Sequence, residues 1–152
     1  MAVTMQDVRR WLDPEEPDYA GAKAALGNDA LPHLSTLATG GDLALASKAV
    51  YLASMISTPQ SVAVMRAAQG RGEPVLKAAV AAGIRNLEPG HAAEIFELLH
   101  ADPDPGIRKV ALVSVARTAA PQALAHIDRI SRSDPDPALR QLATDALALR
   151  RR

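Results

Sequence analysis

Apolar positions recur along this chain in two nested periods: three to four residues within a segment, and 31 or 32 residues from one segment to the next. Four segments align without gaps, DLALASKAVYLASMI from Asp42, EPVLKAAVAAGIRNL from Glu73, DPGIRKVALVSVART from Asp104 and DPALRQLATDALALR from Asp136, so their starts lie 31, 31 and 32 residues apart. Each opens on an acidic residue, and three follow it with proline, where the missing N–H costs nothing. Offsets three, seven and eleven hold Leu45, Ala49 and Ala53, then Leu76, Val80 and Ile84, then Ile107, Ala111 and Val115, and finally Leu139, Ala143 and Leu147. Those offsets share one helical face, which predicts four helices with a buried stripe and small residues at its middle.

A less regular helix precedes each of these. The same spacing places Leu34 with Leu37, Met65 with Ala68, and Phe96 with Leu99 on the preceding helices. In the fourth copy Ile127 and Ile130 arrive one residue early, matching one extra residue in the turn from Ser131 to Pro135. Breakers at Ser57-Thr58-Pro59, Glu88-Pro89-Gly90 and Ala120-Pro121 close one pair and open the next. Repeats are therefore expected at 28–57, 58–88, 89–120 and 121–152 in a single domain spanning 1–152. Residues 1–27 fall outside the period. There Thr4 is placed to cap a helix through Leu12, and a second short helix is expected from Asp18 to Leu26, a pair that caps the stack with Trp11 as its plug. Stacked helical hairpins at a fixed period predict an all-α solenoid of about four hairpins plus this cap.

Composition agrees with helices: 48% of residues are hydrophobic but aromatics make up only 3%. Seventeen basic and seventeen acidic side chains cancel, so no overall field draws the chain to nucleic acid or an anionic membrane. The split is mild, with residues 1–60 at four basic against seven acidic and residues 61–152 at thirteen against ten. The absence of cysteine removes disulfides and thiolate chemistry. Neither a signal-like start nor a membrane-length apolar run is present, so a cytoplasmic protein is expected, with no membrane partner. Arg150, Arg151 and Arg152 read as a solvated terminus.

Leu31-Pro32-His33-Leu34 with Leu37, and an aspartate followed six residues later by an arginine after an aliphatic residue (Asp102 with Ile107-Arg108, Asp134 with Leu139-Arg140), resemble HEAT repeats. The resemblance covers residues 28–150, and the period is shorter than in long eukaryotic HEAT arrays and closer to that of the compact HEAT-like repeats associated with bilin lyases. Gly40 and Arg71 stand at the aspartate position of the first two copies, and Ala46 and Lys77 at the arginine position, which departs from the pattern. The tetratricopeptide signature and the ankyrin Thr-Pro-Leu-His turn are missing. The resemblance implies a right-handed superhelix in which Asp102, Arg108, Asp134 and Arg140 form a hydrogen-bonded ladder that orients the repeats.

No residue set demands a reaction. His33, His91, His100 and His126 lie on first helices or their ends, outside any nucleophile motif. Glu94, Glu97 and His100 share a three-residue spacing, but a single Glu-x-x-His falls short of a di-iron site, and the carboxylates read as solvated charges. Hydroxylases built on HEAT-like repeats use His-Glu steps, and none occurs. Gly70-Arg71-Gly72 reads as a turn. Catalytic residues, metal ligands and cofactors are therefore not expected. The second helices in a solenoid line the inner curve, and their outward offsets hold Tyr51, Arg85, Lys109, Val113, Arg117 and Asp145, a ridge suited to a partner. A non-enzymatic protein-binding scaffold or adaptor, monomeric or weakly dimeric, is the expected function. The alternatives are a HEAT-like bilin lyase or chaperone-type subunit, and nucleic-acid binding through Arg85, Lys109 and Arg117, which the balanced charge disfavours.

Overall fold

The computed structural model describes residues 2–118 and 121–150, and among them the chain is all helical. Ten α-helices follow in order: α1 (Met5–Leu12), α2 (Tyr19–Leu26), α3 (Leu31–Ala38), α4 (Leu43–Ile56), α5 (Pro59–Gly70), α6 (Pro74–Gly83), α7 (Pro89–Leu99), α8 (Pro105–Ala116), α9 (Pro121–Ser133) and α10 (Pro137–Arg150). Single 3-10 turns at Gly27–Ala30 and Ile84–Asn86 lengthen the connections after α2 and α6.

Local chemistry fixes the starts. Thr4 accepts from the Asp7 amide at 3.1 Å while its own amide donates to the Asp7 carboxylate at 2.9 Å, a reciprocal cap for α1. Thr58 and Ser61 do the same for α5. At the second helices, Asp42, Asp104 and Asp136 accept from the amides of Leu45, Gly106 and Ala138. Glu73 makes no such bond, and α6 relies on Pro74 at its first position. Gly72, at φ 77°, takes the left-handed turn between α5 and α6 that a side chain would strain.

The helices build two layers. The first helices α3, α5, α7 and α9 pack in series, the second helices α4, α6, α8 and α10 pack in series, and each pair closes through its own hairpin. The α1–α2 pair joins the same order, α1 against α3 and α2 against α4. Substantial contacts run only within a pair or between adjacent pairs, an arrangement consistent with an α-solenoid. The apolar stripe lies in the interior: every residue at offsets three, seven and eleven of the second helices is buried, as are Leu34, Met65, Phe96, Leu99, Ile127 and Ile130 of the first. Trp11 is half-buried and packs on the same core.

Close approach has a cost in side-chain volume. A Cβ on Gly83 would lie 2.7 Å from the Ser54 Cβ, so the glycine is what lets the end of α6 rest on α4. The Ser54 hydroxyl beneath it donates to the Tyr51 carbonyl at 2.6 Å and accepts from Asn86 at 3.0 Å. That last bond sets offset thirteen of one copy beside offset twelve of the copy before. Ser114, which meets the Ala82 carbonyl at 3.5 Å, repeats the register one pair on. Equivalent positions of successive second helices therefore lie side by side.

Candidate functional site

Three polar features stand out on this frame, and the first ties the hairpin turns together. Arg108, on the first turns of α8, is buried, and its guanidinium spans two repeats. Nε and Nη2 grip the Asp134 carboxylate at 3.1 and 3.3 Å, while Nη1 donates to the carbonyls of Asp102 at 2.8 Å and Pro103 at 3.3 Å. Asp102 and Arg108 thus meet through a backbone oxygen, and the carboxylate of each aspartate faces the basic residue of the preceding copy. For Asp102 that residue is Lys77, 2.9 Å away. Lysine at the arginine position keeps the charge and gives up the fork. Burial acts to raise the Asp102 pKa, yet the Asp104 amide, the Lys77 ammonium and the Arg108 charge outweigh it and hold the carboxyl below its ordinary value. Arg140 donates to the Asp134 carbonyl at 2.6 Å and, among the described residues, meets no carboxylate.

Two further arginines work across repeats. Arg71, which stands at the aspartate position of the second copy, reaches back to the carbonyls of Ala38 and Gly40 at 2.8 and 2.9 Å and caps the end of α3. Arg150 caps α8 in the same way, through the carbonyls of Ala116 and Thr118 at 2.9 and 2.8 Å. The expectation of a solvated terminus therefore fails at Arg150, because carbonyls at a helix end need donors. Arg151 and Arg152 lie outside the described residues.

The second feature joins α7 to its neighbours. Glu94 and Glu97 are half exposed, but they bridge repeats: Glu94 pairs with Arg66 of α5 at 2.9 Å and Glu97 with Arg129 of α9 at 2.7 Å. The expectation of exposed charges holds for both carboxylates, and each also serves a contact between repeats. The Arg129 bond is the main reason that the Glu97 carboxyl is held low. His100 and His126 approach the same carboxylate at 3.4 and 3.7 Å; the His100 ring stacks on Phe96 and the His126 ring lies tilted against it. His126 Nε2 is buried with no hydrogen-bond partner, and burial, followed by the Arg129 charge, pushes its pKa down. His91 Nδ1 is likewise buried and unpartnered, whereas His33 Nε2 lies 2.9 Å from the Val3 carbonyl. Among the described residues no three His, Asp or Glu side chains are placed to hold a metal ion.

A cleft of about 580 Å³ opens between the α7–α8 and α9–α10 turns, lined by His100, Pro103, Arg129, Ile130 and Pro135 with the Arg108–Asp134 pair in its wall. Its charged groups are already engaged, Arg108 with Asp134, Asp102 with Lys77 and Arg129 with Glu97.

The third feature is the outward face of the second helices. The register sets Ser47, Ala78 and Lys109 in one row and Tyr51, Ala82 and Val113 in the next, with Arg85 and Arg117 beyond. Lys109, Arg117 and Asp145 are exposed, and Tyr51, Arg85 and Val113 are partly so. Tyr51 leans edge-on against Tyr19 of α2, ring centroids 4.8 Å apart, and the same packing raises the Tyr19 pKa, burial first. Beside this pair a recess of about 470 Å³ is lined by Tyr19, Ser47, Lys48, Tyr51 and Ala79, with no acidic side chain. Asp145 is held by Gln141 at 2.9 Å, away on α10. Sequence spacing brings the ridge residues to one face. It also groups Glu94, Glu97 and His100, but misses their partners Arg66, His126 and Arg129, which sit on other helices about thirty residues away.

No helix among the described residues is long and apolar enough to cross a membrane. Comparison with known protein families, with curated proteins and with solved structures finds no match.

Proposed function

We propose that this chain is a non-enzymatic protein-binding scaffold or adaptor whose partner lies along the second-helix face of a HEAT-like, right-handed superhelix. One observation carries the reading. The partly exposed positions of α6 and α8 include the small or apolar Ala78, Ala79, Ala82, Val110 and Val113, Val75 of α6 is left 46% exposed beside them, and Tyr51 of α4 is partly exposed in the row of Ala82 and Val113. A contiguous face of that kind, rimmed by charge, is the composition that interfaces use. The other polar features favour no second reading, since the ladder and the Glu97 cluster serve contacts between repeats.

Affinity capture with the immobilised chain, read by mass spectrometry, tests it. Proteins retained by the wild type should be lost with Tyr51→Ala/Arg85→Glu/Lys109→Glu and kept with Arg66→Glu/Arg132→Glu on the first helices. Circular dichroism melts confirm that each variant is folded. Identical captures for all three proteins would discard the face as the binding site.

A further inference from the structure

Charge divides unequally between the two layers. Residues 43–56, 74–86 and 105–117, which contain α4, α6 and α8, hold Lys48, Lys77, Arg85, Arg108, Lys109 and Arg117 and no Asp or Glu. Lys77 and Arg108 are spent on Asp102 and Asp134. The other four meet no carboxylate among the described residues: Lys48 donates to the Pro14 carbonyl at 2.9 Å, Arg85 only to its own turn at Ala82, and Lys109 and Arg117 point to solvent. On α5 and α9 the opposite holds, since Arg66, Arg129 and Arg132 each have an acidic partner. The cations of α5 and α9 that face solvent are thus neutralised, and four on α4, α6 and α8 are left without a carboxylate, beside the partly exposed alanine and valine side chains.

Resting on the scaffold reading above, we infer that the second-helix face binds an acidic amphipathic segment of a partner protein, with its carboxylates on Lys48, Arg85, Lys109 and Arg117 and its apolar side chains on the alanine and valine floor. The charge complement is specific in sign, because no acid on these three helices would repay a basic segment. From α4 to α8 is two interhelical spacings, about 16–20 Å, a span that about 11–13 residues of helix would cover. Nucleic acid fits less well. A strand needs a dense row of phosphate contacts and aromatic platforms, whereas these four cations are spread over three helices and Tyr51 is occupied by Tyr19.

The test uses a random 16-residue peptide display library selected on the intact chain, followed by fluorescence anisotropy of the selected peptides and of a labelled 20-nucleotide single strand. Selected peptides should be enriched in Asp and Glu between apolar residues, and Arg85→Glu/Lys109→Glu should weaken them about tenfold or more while Arg66→Glu/Arg132→Glu leaves them unchanged. Neutral or basic selected peptides that are lost with Val113→Glu would overturn the acidic partner and leave the scaffold reading standing. Peptides indifferent to every face variant, or no selection at all, would overturn both. Tighter binding of the oligonucleotide, weakened by the same double variant, would assign the face to nucleic acid and overturn the proposal.

Discussion

His126 is the residue whose chemistry is most at odds with its position. It sits at the α7–α9 contact, its ring 4.7 Å from Phe96, Nδ1 3.7 Å from Glu97 and Nε2 buried without a partner. Glu97 favours the imidazolium, but burial and the nearby Arg129 and His100 oppose it, and the balance lowers the pKa. The folded chain therefore binds fewer protons here than the unfolded chain, and stability rises with pH. The contribution is complete above the ordinary histidine value near 6.5 and is lost as pH falls through the depressed one. Glu97 and Asp102, both held low, stay charged over that window. Urea melts from pH 7.5 to 5 should show stability declining on acidification, and His126→Phe should flatten the decline. A slope unchanged by the substitution would show that the titration lies elsewhere.

Between elements, the Arg108 fork is the bond with most at stake, since it fastens α8 to the turn that starts α10. Its side chain and that of Asp134 are 10% and 3% exposed, so removing one partner strands a buried charge. Arg108→Ala should cost about 3–5 kcal/mol, which for a chain of this length lowers the melting temperature by roughly 10 °C. Arg66→Ala, whose pair with Glu94 is half exposed, should cost no more than about 1 kcal/mol. Calorimetry of the two variants compares them, and equal melting temperatures would remove the fork from the account. Most of these elements were legible in the sequence, because a cap, a proline and a 3.6-residue stripe are local signals. What was not legible depended on partners a repeat away. Arg71 breaks the aspartate pattern, yet it caps α3 through Ala38 and Gly40. Gly83 is needed where the end of α6 rests on Ser54, about thirty residues earlier, and no local pattern carries that contact.

At the scale of the whole molecule, stability is expected to divide by neighbour, because each hairpin is packed only on the next. A chain ending at residue 118 would lose α9 and α10 and uncover the α7–α8 surface they pack on, including Phe96, and burial contributes about 1.5–3 kcal/mol for each large apolar side chain so exposed. It would also leave Arg108 without Asp134. The loss is large but confined to one interface, so the α1–α6 contacts survive it intact. The truncated chain should keep helical circular dichroism in proportion to its remaining helices and still melt cooperatively, at a lower temperature than the full chain. Hydrogen exchange on the intact chain should show the same gradient, with α9 and α10 opening before α4 and α6, which are covered on both sides. Complete loss of helix on truncation, with uniform exchange through all the helices, would mean a single cooperative core, and the two-layer reading of the interfaces would then fail.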